Sequence, residues 1–170
     1  MKEKEGIYKE GLEEYSKSGI ILGNLIMILW ITLGTISIWF LYPLASWIYL
    51  GVAILMIGII LRKLLCANCF YYNRWCGIGW GKLAALFFKK GDISLFGENL
   101  GQTIAPITYG LLTLIPIVFI IISIFQQFKI FKIILLLFLI FISIYSGIIS
   151  RKKICANCKM RFLCKGSAVK

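Results

Sequence analysis

Four long apolar runs organise the chain, each free of charge and each too long for an ordinary soluble helix. No residue between Ser18 and Leu61 is charged, nor any from Asn99 to Phe128 or from Ile133 to Ser150. A bilayer core about 30 Å thick takes roughly 20 apolar residues of helix, so these runs supply four spans. The pattern places them at Gly19 to Leu41, Leu44 to Leu61, Ala105 to Phe125 and Ile133 to Ser150. Pro43 closes the first run and leaves only a tight turn before the second, which makes the first pair an antiparallel hairpin. Gly19, Gly23, Gly34, Gly51 and Gly58 lie along that pair, and small residues let backbones approach in membrane helix contacts. Asn24 is the strongly polar side chain inside it and reads as interhelical glue. Pro116, in the middle of the third run, predicts a kink.

The polar segments between the runs repeat. Arg62-Lys63 and Arg151-Lys152 end the second and fourth runs, and Cys66-Ala67-Asn68-Cys69 and Cys155-Ala156-Asn157-Cys158 follow at the same offset of 89 residues. Each copy comes after two spans, which gives both the same orientation in the bilayer. The expected fold is therefore an all-α integral membrane protein of four transmembrane helices, arranged as two parallel helical-hairpin repeats about a pseudo-twofold axis. The organisation follows: an N-terminal segment 1–17, a first repeat 18–77, an interfacial linker 78–104 and a second repeat 105–170. In the linker, Ile78 to Lys90 mixes Trp80, Phe87 and Phe88 with Lys82, Lys89 and Lys90, which suits a short helix in the headgroup region.

Composition agrees with the pattern, with 60% hydrophobic and only 15% charged residues. The net charge of +12 raises the question of nucleic acid, but its distribution answers differently. Lys and Arg number four before the first run, six between the second and third and seven after the fourth; the short turns carry only Lys129 and Lys132. That bias places both termini and the linker on the cytoplasmic side of a cell membrane, where the cations also attract anionic lipid. No nucleic-acid recognition motif accompanies them. The first 17 residues, with five glutamates and four lysines, suit a short surface helix; an acidic leader is wrong for a cleaved signal peptide, so the first run reads as an anchor that stays.

Chemistry is confined to the cysteines. All six, Cys66, Cys69, Cys76, Cys155, Cys158 and Cys164, fall in two clusters, Cys-x2-Cys-x6-Cys and Cys-x2-Cys-x5-Cys. In a reducing compartment, clustered thiols point to metal or redox work rather than to persistent disulfides. The Cys-x2-Cys spacing aims two soft ligands at one ion. Histidine is absent, which removes mixed cysteine-histidine zinc sites, histidine-ligated haem, Rieske centres and histidine acid/base catalysis. Zinc and an iron-sulfur cluster both remain, and neither spacing is that of the bacterial or plant ferredoxins. The triads can act separately, the two pairs can close one four-thiolate site, or all six can line one larger site. Flanking cations, Arg62, Lys63, Arg74 and Lys82 in one half and Arg151, Lys152, Lys153, Lys159, Arg161 and Lys165 in the other, are expected to favour the thiolates.

The reading is a cytoplasm-facing metal site in electron transfer, metal handling or scaffolding, with a protein redox partner or membrane complex as its counterpart. The alternative is a membrane thiol-disulfide oxidoreductase using the Cys-Ala-Asn-Cys pairs. Each pair is expected just after a helix ends, at the negative end of the helix dipole, which disfavours a redox nucleophile. A small-substrate transporter ranks below both, since spans expected to hold no carboxylate, lysine or histidine offer no proton relay or ion site of the usual kind. Gly77-Ile78-Gly79-Trp80-Gly81-Lys82 lacks the spacing of a phosphate-binding loop, and Leu83 stands where Ser or Thr belongs. Tyr71, Tyr72 and Trp75 read as an interfacial aromatic belt.

Overall fold

The computed structural model describes residues 7–169 and is all-helical among them. Its long helices are α1 (Lys17–Trp39), α2 (Pro43–Cys66), α4 (Gly101–Gln126) and α5 (Ile130–Ala156), with the short α3 (Trp80–Phe87) in the linker. All four long helices are long and apolar enough to cross a membrane, and only 17–28% of each one's apolar window is buried. Most of the apolar side chains therefore face outward. Leu25, Trp47, Leu114, Phe125 and Leu137 are all exposed, a distribution that water would penalise and lipid would not.

Helix α1 is the central element, packed against α2, α4 and α5. Between helices in lipid the hydrophobic effect contributes little, so close packing and interhelical hydrogen bonds must hold them. The bonds are present. Ser46 Oγ donates to Thr35 O at 2.9 Å, joining α2 to α1, and Trp30 Nε1 donates to Ser143 Oγ at 3.1 Å, joining α1 to α5. Tyr49 Oη donates to Leu112 O at 2.9 Å, joining α2 to α4 across the face of α1. That crossing needs Gly34, because a Cβ there would stand 2.6 Å from the Tyr49 hydroxyl and 3.1 Å from Pro116. Asn24 does bind across elements, though to the linker rather than to another span: its Nδ2 donates to Ile78 O at 3.0 Å and its Oδ1 accepts from Trp80 Nε1 at 2.8 Å. The Trp80 ring in turn carries the Arg62 guanidinium 3.2 Å from its centroid.

Three expectations change. The second and fourth spans run past Leu61 and Ser150, to Cys66 and Ala156, and the third and fourth begin earlier, at Gly101 and Ile130. Basic residues extend the helices because Lys and Arg reach the headgroups from the last turns of a span. The linker helix is shorter than 78–90, ending at Phe87. Residues 7–16 form no helix; they run as turns and irregular chain over the cysteine loops, while the first six residues lie outside the described part. Ten residues with mixed charge cannot nucleate a helix in competition with the backbone bonds that the loops offer.

Helices α2 and α5 each contain a π-helical stretch, Met56–Ile60 and Tyr145–Ser150, whose starts lie 89 residues apart. A second π stretch, Arg62–Cys66, completes α2. Such wide turns alter which residues face a neighbour over the following turn and gather at functional positions.

At the far end the fourth span does hold a lysine: Lys132 is only 4% exposed and makes no ion pair among the described residues. Its Nζ donates to Ser123 O and Ser123 Oγ at 2.8 Å and to Gln127 O at 3.1 Å, closing the C-terminus of α4. Lys132→Met keeps the length and removes all three bonds. It is expected to cost about 2 kcal/mol, a charged hydrogen bond's worth, read as a lower thermal unfolding midpoint in detergent.

Candidate functional site: the paired cysteine loops

The Cys-x2-Cys pairs straddle the ends of α2 and α5 rather than following them. Cys66 is the last residue of α2 and Cys155 lies in the last turn of α5, while Cys69 and Cys158 sit in the turns beyond. The helix-end dipole argument therefore applies to the first cysteine of each pair and only weakly to the second.

Both turns are built by the same bonds. Cys69 N–H donates to Cys66 O at 3.4 Å, Tyr72 N–H to Cys69 O at 3.1 Å and Arg74 N–H to Tyr71 O at 3.0 Å. In the other half Cys158 N–H donates to Cys155 O at 3.2 Å, Arg161 N–H to Cys158 O at 3.1 Å and Leu163 N–H to Met160 O at 3.1 Å. Each asparagine reaches back one turn, Asn68 Nδ2 to Leu64 O at 3.0 Å and Asn157 Nδ2 to Lys153 O at 3.4 Å, and satisfies a carbonyl left open by the helix end. The sulfurs are engaged alike. The backbone amides of Tyr71 beside Cys69, Met160 beside Cys158 and Gly166 beside Cys164, each two residues on, pull those thiols down against burial. The loops diverge after that. Asn73, with φ of 60°, takes up a left-handed turn in the longer one.

The loops touch each other. Tyr71, buried to 2%, accepts from Lys159 N–H at 3.2 Å and donates to Leu12 O at 2.7 Å. Gly77 lies so close to α5 that a Cβ would meet Ile154 at 2.4 Å. The N-terminal segment closes the assembly: Leu12 N–H donates to Asn157 O and Tyr15 N–H to Trp75 O, both at 2.9 Å, and Tyr15 Oη donates to Ile154 O at 2.8 Å. Glu13 pairs with Arg74 at 2.6 Å and with Lys159, one cation from each loop. Both cysteine clusters and the start of α1 therefore lie at one end of the bundle. Tyr71 is a structural bridge and not part of an outward belt. The sequence marked Tyr71 only as aromatic and Glu13 only as one of several acids; neither had a signal that identified a bridge.

All six cysteines are free thiols, partly buried as residues. They form one electrostatically linked set. Cys69 feels Cys66, Cys76 and Cys158, whereas Cys158 feels Cys155, Cys164 and Cys76, so the links cross between the halves. Burial outweighs the flanking cations. It pushes the Cys69 and Cys164 thiols up, and Cys158 up to about 11, with the backbone N–H bonds opposing. The expected lowering by basic residues is outweighed: Arg151 still pulls the Cys164 thiol down, but other cations of the set are engaged elsewhere. Arg74 and Lys159 pair with Glu13 and lie over Phe70, and Arg161 lies between Tyr8 and Phe162. Among the described residues, no three Cys, His, Asp or Glu side chains already stand as a metal-holding group. A cavity of about 340 Å³ leads from outside to Cys69, between Arg74 and Lys90.

Raised thiols set a pH dependence. The folded chain holds the Cys158 proton more tightly than the unfolded chain, whose thiols ionise near 8.5, so metal-free protein is expected to lose stability as pH rises from about 8.5 toward about 11. Denaturation midpoints measured across that window check the sign. Any metal bound by these sulfurs would reverse the trend, because it takes the ionised form and releases the protons.

Comparison with protein-family models, with curated proteins and with solved structures gives no match to this chain.

Proposed function

We propose that this is a membrane metal-thiolate protein, in which two parallel hairpin repeats bring six cysteines to the cytoplasmic face to hold zinc or an iron-sulfur cluster in one shared unit. The observation that carries this reading is that two loops sharing three backbone bonds at one offset meet at one end of the bundle, with a backbone amide two residues on favouring the ionised form of the second cysteine of each pair. An N–H directed at sulfur has most to gain from a thiolate, and a buried thiolate needs a cation to offset its desolvation. Arg74, Lys159 and Arg161 are engaged by Glu13 and aromatic rings and Arg151 offsets the burial of Cys164 only in part, so the surrounding side chains do not supply enough. A metal ion does. The matched π stretches and asparagine bonds support the repeat, and the bias of Lys and Arg supports the cytoplasmic side.

Uptake of metal draws the loops inward, since the sulfurs do not begin as a converged set. Coupling of that kind between binding and local folding is ordinary for thiolate sites. Cys66, Cys69, Cys76, Cys155, Cys158 and Cys164 are the proposed ligands. The roles consistent with such a site are electron transfer to a protein redox partner, metal handling and scaffolding of a membrane complex. A thiol-disulfide oxidoreductase is the second reading, favoured by the cavity at Cys69. Raised thiols weigh against it, because the thiolate is the nucleophile.

Anaerobic purification with elemental analysis separates them. The metal reading expects stoichiometric zinc or brown, iron- and sulfide-containing protein. Metal-free protein whose thiols cycle with a dithiol reductant would replace it with the oxidoreductase.

A further inference from the structure

An open cleft of about 500 Å³ lies between the ends of α4 and α5 and the chain from Lys165 to Ala168, with Gly166 beside the Cys164 sulfur. At its mouth stand Arg151 and Lys165, with Gln102 and Thr103 beside them. Its lining continues to Pro106 of α4 and the exposed Gly147 of α5, both one turn farther into the apolar spans. Past them the helix surfaces are open. A Cβ added at Gly147, or at Gly110 one turn deeper on α4, would meet nothing within 4 Å.

The cations are held in place and lack a counter-charge. Arg151 donates one N–H to Gly166 O at 2.6 Å, and Gln102 Oε1 accepts from Lys165 N–H at 3.0 Å while its Nε2 donates to Phe96 O, so the buried Gln102 fixes the tail that carries Lys165. No Asp or Glu lines the cavity, and among the described residues neither cation makes an ion pair.

We infer that this cleft is a binding site for one anionic phospholipid, its phosphate between Arg151 and Lys165 and an acyl chain along Gly147 and Gly110. The chemistry at the mouth is that of any phosphate. The apolar lining within the spans selects a lipid over a free anion, because basic pockets between transmembrane helices meet headgroups at this depth. A side chain at 147 would meet no protein atom within 4 Å and would stand where the acyl chain runs.

Native mass spectrometry of the full chain, delipidated in a neutral detergent, tests this by titration with phosphatidylglycerol, with phosphatidylcholine and with inorganic phosphate. The expected result is one tightly held phosphatidylglycerol, weaker phosphatidylcholine and no displacement by phosphate. The double change Arg151→Gln and Lys165→Gln should weaken phosphatidylglycerol by about 30-fold, the worth of two surface cations near a headgroup. Gly147→Leu should weaken it as well with an unchanged unfolding midpoint, while Lys152→Gln with Lys153→Gln, on the same helix end but outside the cleft, should leave it intact. Equal weakening by the Lys152/Lys153 pair, equal binding of phosphatidylcholine, displacement by inorganic phosphate, full binding by Gly147→Leu, or no retained lipid would each overturn the inference.

Discussion

Cys158→Ser is expected to lower metal affinity by about 100-fold or more, since even a partner one step removed from a metal commonly contributes 10- to 100-fold. Cys158 is the choice because its sulfur is linked to Cys155 and Cys164 in its own half and to Cys76 and Cys69 in the other. In a shared unit its loss affects all the bound metal. In two private sites it would spare the metal of the first triad, and the purified protein would keep half its content. Asn68→Ala is the contrast. It removes the bond to Leu64 O and slightly lowers stability, but it takes away no sulfur and should leave metal content unchanged. Elemental analysis of both variants, purified in parallel, reads the difference.

Gly81→Ala should be the most damaging small substitution near the site. A Cβ at Gly81 would stand 2.0 Å from Tyr71 O and 2.6 Å from Arg74 O, and both are backbone atoms of the first cysteine loop. No rotamer change relieves such a contact. Either α3 lifts from the loop or the loop yields, and with it the Asn73 N–H bond to Gly81 O at 3.1 Å. Overpacking of this kind costs about 3 kcal/mol. Gly51→Ala, where the added carbon meets nothing within 4 Å, should be near neutral by the same thermal unfolding assay. Loss of metal from Gly81→Ala at temperatures where the four helices persist would tie the loop's shape to ligand capture.

The fold was largely legible in the chain because lipid imposes a simple code: uncharged runs of about 20 residues with charge between them. Pro43 and the bare turn after it announced the first hairpin. Helix ends were less legible, since Arg62, Lys63 and Arg151 to Lys153 read as a stop, yet their side chains ride on helix that continues to Cys66 and Ala156. The cysteine spacing marked two clusters, and the structure gives their loops three matching backbone bonds at the common offset. What the spacing did not carry was the meeting of those loops. That depends on Tyr71, Gly77 and Glu13, three residues of unrelated type whose partners lie about 60 to 150 positions away, as in Tyr71 with Leu12 and Lys159 and Glu13 with Lys159. Contacts so distant in sequence leave no local period to read. Charge misled for the same reason: the cations flank the thiols in the sequence, but Glu13 and the aromatic rings take up Arg74, Lys159 and Arg161 in space, and burial outweighs Arg151 beside Cys164.

X-ray absorption at the metal edge of anaerobically purified protein tests the sulfur-ligand claim most directly. The account predicts a first shell of sulfur, at about 2.3 Å if the metal is zinc, that is lost with Cys158→Ser. A first shell of oxygen or nitrogen, or protein that folds and remains metal-free with all six thiols titratable after metal is supplied, would contradict it.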